Sequence, residues 1–339
     1  MLIHKIYNSN NIYFKNIKNY VQTTPLQAYK PEETEEINSE KKTKILKEGQ
    51  MALISAKKIK TQSKAIFQES LKVQENAQNI QEQFKEKLST VRELAQKGKE
   101  NNYSKIYNTK DKLMTSFEYK KGSRLVVKEL DFENRLLRKT TLGDFVDKES
   151  EMEEIDLLTG KTNKYIFDSQ NGELFLCLMG CTKTDLGTLI DERYKFSNKK
   201  LINYKNGTKV SYKNSTTTQK EFNFETGNCI YSENIWYSHV MLKKTADKCI
   251  IFDNNGEIST CRENILSYTH GNHYEGKKYY YHNAKLARYL EGVQVKGKYG
   301  DIVAKKFDFI NEKLKIYEEN IMILNNQPKS SVGLSVNFN

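Results

Sequence analysis

From Ile45 onward, apolar and small residues recur in alternating steps of four and three: Ile45, Gly49, Ala52, Ala56, Ile59, Ser63, Ile66, Ser70, Val73, Ala77, Ile80, Phe84, Lys87, Val91 and Leu94. A period of seven held over about seven heptads predicts one long helix, and a strict heptad drives helices to wrap a partner in a left-handed supercoil. One seam position is mostly large (Ile45, Ile59, Ile66, Val73, Ile80, Leu94), while the other is small through Gly49, Ala56, Ser63, Ser70 and Ala77. Small residues allow close approach but bury less apolar area, so this seam is weaker than an Ile/Leu zipper. The partner is therefore either a second helix or this same chain. Asn38 or Ser39 fits the cap, Glu32, Glu33, Glu35 and Glu36 suit the positive end of the helix dipole, and Lys97, Gly98 and Lys99 suit the other end. The predicted helix spans 38–100.

After about Ser116 the stripes give way to short aromatic and β-branched runs broken by Gly and Asn, which predicts strands joined by tight turns. The breaks look alike: an aromatic residue, usually followed by an acid, leads into a turn and another strand. Examples are Phe167-Asp-Ser-Gln-Asn-Gly172, Phe224-Glu-Thr-Gly227 and Phe252-Asp-Asn-Asn-Gly256, with glycine-free versions at Phe132-Glu-Asn134 and Phe309-Ile-Asn311. Three turns are followed by one triplet, Glu233-Asn-Ile235, Glu263-Asn-Ile265 and Glu319-Asn-Ile321. The pattern implies a degenerate hairpin repeat that buries a face only against its neighbours.

Tyr274-Glu-Gly276-Lys-Lys, Tyr289-Leu-Glu-Gly292, Tyr119-Lys-Lys-Gly122 and Tyr204-Lys-Asn-Gly207 add a tyrosine-and-glycine signature. Over 116–324 the chain resembles the hairpin repeats of MORN proteins and of the related YwqK-like antitoxin family, although the second glycine of those repeats is mostly missing and the spacing is irregular. The resemblance implies an elongated hairpin array used as a scaffold or binding surface, without catalysis.

The expected fold class is α+β: a long heptad-bearing helix followed by an all-antiparallel β-hairpin array or elongated sheet. The expected domains are a polar, disordered leader (1–37), the helix (38–100), a linker (101–115), the repeat region (116–324) and a disordered tail (325–339). A mean hydropathy of -0.75 with 29% charged residues fits an elongated chain rather than one packed globule. The formal charge is +4 over 1–31, +2 over 32–100 and +6 over the remainder, together the +12 of the whole chain. Spread so thinly, and with seven arginines among 55 basic residues, this excess implies weak nonspecific anion binding rather than a base-reading module. No run approaches the roughly 20 apolar residues of a spanning helix. Residues 1–31 lack the pattern of a secretory signal, so the default location is cytoplasmic, with export by a non-classical route left open.

The sequence contains no phosphate-cradling loop, dinucleotide fingerprint, G-x-S-x-G elbow or H-E-x-x-H, and it implies no cofactor. The best candidates for chemistry are His270, His273 and His282 in a tyrosine-rich stretch, since imidazole is a ligand for zinc and a base near neutral pH. The alternative is that they are turn and surface residues. Cys177 and Cys181 form a C-x3-C pair inside an apolar run, which reads as small buried hydrophobes rather than a metal site. Trp236, Tyr279 and Tyr281 are candidate binding residues, with a place in the core as the alternative for Trp236. The leading expectation is a non-catalytic interaction or scaffold protein, its helix serving self-association or docking to a protein partner and its repeats offering a binding surface. The rival is a secreted effector or toxin-like enzyme with a nonstandard site near His270, His273 and His282.

Overall fold

The computed structural model describes residues 38–101, 105–108, 113–120, 124–143, 149–269, 271, 273–295, 300–323 and 333–338. The leader and His270 lie outside the described residues. Helix α1, Ser39–Glu100, matches its expected bounds to within a residue. Asn38 Oδ1 accepts the Lys41 N–H at 2.8 Å, which satisfies one of the orphan donors of the first turn. Lys97 and Lys99 occupy the last turn, where the dipole favours cations. No helix among the described residues is long and apolar enough to cross a membrane.

Eighteen antiparallel strands follow among the described residues. They are β1 (Lys105–Asn108), β2 (Leu113–Lys120), β3 (Arg124–Asp131), β4 (Leu136–Leu142), β5 (Glu149–Asp156) and β6 (Thr162–Asp168). Then come β7 (Leu174–Thr184), β8 (Gly187–Ser197), β9 (Lys200–Ser211), β10 (Ser215–Asn223), β11 (Ile230–Ser238) and β12 (Lys243–Phe252). The last six are β13 (Ile258–Tyr268), β14 (His273–His282), β15 (Lys285–Val295), β16 (Asp301–Ile310), β17 (Lys313–Ile323) and β18 (Leu334–Asn337). The segment expected as a linker holds β1 and the start of β2. The segment expected as a disordered tail holds β18, which pairs with β17 and buries Val336.

The chain divides into two compact units. The first comprises residues up to Ser63, Thr245–Ile250 and everything from Glu257; the second comprises Lys64–Lys244 and Ile251–Gly256. In the second unit β1 to β11 each pair with the next strand, and in the first unit β13 to β18 do the same.

Register aligns the repeat into rows. In the second unit an apolar row runs Tyr165–Cys177–Tyr194–Tyr204–Phe222–Tyr231 from β6 to β11, and in the first unit Cys261–Tyr279–Tyr289–Phe307–Tyr317 runs from β13 to β17. Ring centroids along these rows lie 4.8 to 6.2 Å apart, a spacing at which each aromatic pair adds about 0.5–1.5 kcal/mol beyond its area. One step along is a row of alternating charge: Lys220 faces Glu233, Lys277 faces Glu263 and Glu291, and Lys305 faces Glu291 and Glu319. Opposite charges across strands are favourable, and like charges there are not.

The next position is backbone rather than side chain. Gly180, Gly207, Asn234, Asn264, Gly292 and Asn320 all have φ between 50° and 64°, one on every odd-numbered strand from β7 to β17, at intervals of 27, 27, 30, 28 and 28 residues. Asn and Gly are the residues that tolerate this left-handed conformation. The Glu-Asn-Ile triplets therefore sit in mid-strand, with the asparagine as a kink.

Helix α1 lies on these rows through its seam. In the first unit Gly49 approaches Phe307 and Leu314, and seven residues on, the Ala56 carbonyl accepts the Tyr281 hydroxyl at 3.1 Å. In the second unit Phe84 packs on Tyr165 and Phe167, and fourteen residues on, Gly98 meets Phe117 of β2, four strands away. Seven helical residues rise about 10.5 Å and two strand spacings cover about 9.6 Å, so one heptad advances one hairpin. The heptad seam is thus buried against the chain's own strands. The stripe also shifts phase after Phe84: the structure buries Leu88, Val91 and Ala95, while the expected Lys87 and Leu94 are only half-buried. A straight helix on a sheet drifts relative to a strict heptad, and the two successive steps of four restore its register.

Candidate functional site

Aspartates close several of the turns, and two of them, Asp168 and Asp253, are the acids after Phe167 and Phe252. Asp131, Asp156, Asp168 and Asp253 each accept backbone N–H groups from two or three residues ahead, which closes the turn locally. Backbone hydrogen bonds from Asn134 and Thr159 hold the carboxyls of Asp131 and Asp156 below their ordinary range. These acids are turn formers, engaged before any substrate is considered.

A charged cluster of the first unit surrounds Glu275 on β14. Register places it between Ile265 and Val293, in a row that continues through Val303 to Ile321, so a carboxylate stands among apolar neighbours. Its side chain is 1% exposed. His273 Nε2 donates to Oε1 at 2.7 Å, Arg262 lies 3.3 Å from the same oxygen, and Lys278 Nζ lies 3.5 Å from Oε2. Burial pushes the carboxyl up, but the His273 hydrogen bond and the Lys278 and Arg262 charges outweigh it and hold the group below the usual carboxylate range. A carboxylate kept ionised in this way anchors charge and is no proton donor near neutral pH.

The second unit has a counterpart in Glu154 on β5. It accepts hydrogen bonds from Lys87 of α1 at 2.7 Å, from Arg138 at 3.0 Å and from the Tyr165 hydroxyl at 3.0 Å, while Arg138 also reaches Glu129 at 3.2 Å. Burial again works against ionisation of Glu154, and Lys87 and Arg138 overcome it. Lys87, expected in the apolar seam, instead ties the helix to the sheet by charge.

The predicted site residues fall apart in space. His273 and His282 are the two ends of β14, roughly 30 Å apart at the rise of a strand, and His282 is exposed. Tyr279 and Tyr281, expected as binding residues, lie beneath α1: Tyr279 is buried in the aromatic row, and the Tyr281 hydroxyl is spent on the Ala56 carbonyl. Trp236 is half-buried, with Lys243 Nζ 5.9 Å from its ring centroid. Cys177 and Cys261 occupy aromatic-row positions as small hydrophobes, and burial pushes the Cys177 thiol up. Cys229, beside Ser70 of the helix, is pushed up to about 11 by burial, so it too is protonated at neutral pH. Cys181 is free and half-buried.

Sequence reasoning missed Glu154 because its partners come from α1, β4 and β6, and missed Glu275 because its burial and its Arg262 partner depend on the neighbouring strands, although His273 and Lys278 stand on its own strand. The recurring Tyr-x-Glu spacing is a local signal, but it marks other carboxylates. Tyr231 donates to Glu233 at 2.9 Å and Tyr317 donates to Glu319 in the same geometry. A cleft of about 690 Å3 opens in the second unit between Phe67, Gln74 and Gln81 of α1 and the turns at Asn198, Gly227 and Asn254. Comparison with models of protein families finds no matching family, and comparison with curated proteins finds no match.

Proposed function

We propose that this chain is a non-catalytic interaction scaffold, in which α1 is an internal spine and the hairpin array presents an extended surface to a macromolecular partner. The observation that carries the reading is the periodic hairpin itself: one left-handed residue every 27 to 30 residues from β7 to β17, laid out against one heptad of helix per hairpin. A repeated unit of this kind multiplies surface rather than building one pocket. The reactive groups support the same view, since the row tyrosines donate to carboxylates and Cys177, Cys229 and Cys261 are buried. With the described seam occupied by strands, docking falls to the outward faces and not to a coiled coil. The MORN-like resemblance fits this reading through the tyrosine and glycine spacing.

The test is size measurement in gently lysed native cells. The reading expects a discrete complex well above the 39.6 kDa of the chain. A chain that runs alone under every condition, and whose cellular effect vanishes in a His270→Ala/His273→Ala/His282→Ala variant, overturns it. The rival enzymatic reading draws on one specific observation, the buried Glu275–His273 pair, and requires that His273→Ala abolish activity while leaving stability intact.

A further inference from the structure

The hairpins have two sets of tips, and they differ in chemistry. In the second unit, the tips near α1 carry Asn171-Gly172, Asn198-Lys199, Thr226-Gly227 and Asn254-Asn255-Gly256. At the other ends of the same strands stand Phe132, Leu157, Leu158, Leu186, Tyr212, Val240 and Met241, all exposed, with Leu189 and Val210 exposed just behind them. Among the described residues of this unit, every exposed large apolar side chain off the helix belongs to this one edge. Leu186, Tyr212 and Val240 are 62%, 69% and 72% exposed. Segregation on this scale is a cost in water and marks a surface that meets an apolar phase.

The β7/β8, β9/β10 and β11/β12 tips form one continuous edge. Tyr212 N donates to the Leu186 carbonyl at 3.3 Å and His239 N to the Asn214 carbonyl at 2.8 Å, which joins each tip to the next. Within the tips, Thr184 Oγ1 donates to the Gly187 carbonyl, Lys213 N to Ser211 Oγ and Met241 N to Ser238 Oγ. Backbone groups satisfied in this way lower the cost of leaving water. Around these three tips lie Lys183, Lys209, Lys213 and Lys243 against Asp185 as the acid, with Lys183 and Lys213 exposed, whereas the Phe132 and Leu157 tips carry Asp131, Glu133 and Asp156.

We propose that this edge docks on an anionic lipid bilayer, the tips entering the headgroup region and the lysines meeting lipid phosphates and carboxylates. The proposal rests on the scaffold reading and adds a membrane contact to its macromolecular partner. Charge complementarity argues against a second copy, because the same lysines would face each other. Protruding tips at spacings of about 9.6 Å would require matched pits in a protein, whereas a soft interface accepts them without any match.

The test sediments the full chain with vesicles of phosphatidylcholine alone and with about one third phosphatidylserine. Binding is expected to the anionic vesicles, falling steeply with salt. Leu186→Ser/Tyr212→Ser/Val240→Ser is expected to weaken it more than about tenfold, and each of Lys183→Gln and Lys213→Gln about fivefold. All substituted residues are exposed, and an unchanged urea midpoint certifies the fold of each variant. No binding to either vesicle overturns the proposal, as does binding that survives the triple substitution. Concentration-dependent self-association without lipid, abolished by the same substitution, overturns it in favour of a second copy. None of these outcomes touches the size measurement on which the scaffold reading stands or falls.

Discussion

The two halves of α1 meet their strands with opposite solutions to one packing problem. In the first unit the helix is small and the sheet large, with Gly49 under Phe307 and Leu314 and Ala56 under Tyr281. In the second unit, toward the helix C-terminus, the helix side is large: Phe84 packs against the Tyr165 and Phe167 rings, and Leu88 lies against Gly172, where the sheet has no side chain. Gly98 under Phe117 returns to the first arrangement. What is held constant is the heptad period, matched to the hairpin, and not the size of the seam residue. A seam that looks weak as a zipper is adequate against a sheet that supplies the missing volume.

The largest effects should separate those two solutions. Phe84→Ala empties a site enclosed by two rings and is expected to cost about 3–5 kcal/mol in urea unfolding. Glu275→Ala leaves Arg262, Lys278 and His273 without their buried carboxylate and should cost about 3 kcal/mol. The pH dependence of this stabilisation has a definite sign. Because the folded-state pKa values of Glu275 and Glu154 lie below their ordinary value of 4.5, their contribution is complete well above that pH and is lost as pH falls through the folded-state values. Acid titration of wild type should show this loss, and the Glu275→Ala variant a shallower one.

Gly49→Leu tests the small-helix solution from the other side. A side chain there meets Leu314 at once, and overpacking of about 1–3 kcal/mol is expected by thermal unfolding, whereas a true interhelical seam would gain from the same change. Asn264→Val places a β-branched residue at φ 55° and should cost about 1–2 kcal/mol, with Asn264→Gly close to neutral. Lys57→Ala removes the exposed 3.3 Å pair with Glu312 and should shift stability by less than about 1 kcal/mol.

Local chemistry was legible in the sequence, and convergence was not. The helix bounds, the cap at Asn38, the turns at Gly172, Gly227, Gly256 and Asn311, and the recurrence of Glu-Asn-Ile all follow from signals within a few residues. The periodic stripe was legible up to Phe84, but its partner was not, because a coiled coil and a stack of hairpins impose nearly the same repeat of about 10 Å along a helix. For His273 and His282, nine residues of separation along one strand become distance, whereas in a loop they would allow a cluster. Tyr279 and Tyr281 looked like a binding surface because aromatic density marks interfaces and cores alike. Glu154 and Glu275 were invisible because nothing in one sequence says that these carboxylates are buried, or that Arg138, Lys87 and Arg262 of other elements will reach them.

The claim on which the account turns is that the seam of α1 is satisfied within its own chain. Hydrogen exchange on the intact protein, read at low and at hundredfold higher concentration, tests it most directly. Amides from Ile45 to Ala95 should be protected to a degree comparable with those of β7 to β17, and equally so at both concentrations. A helix that exchanges far faster than the strands when dilute and becomes protected only when concentrated would contradict the account, since its partner would then be another molecule.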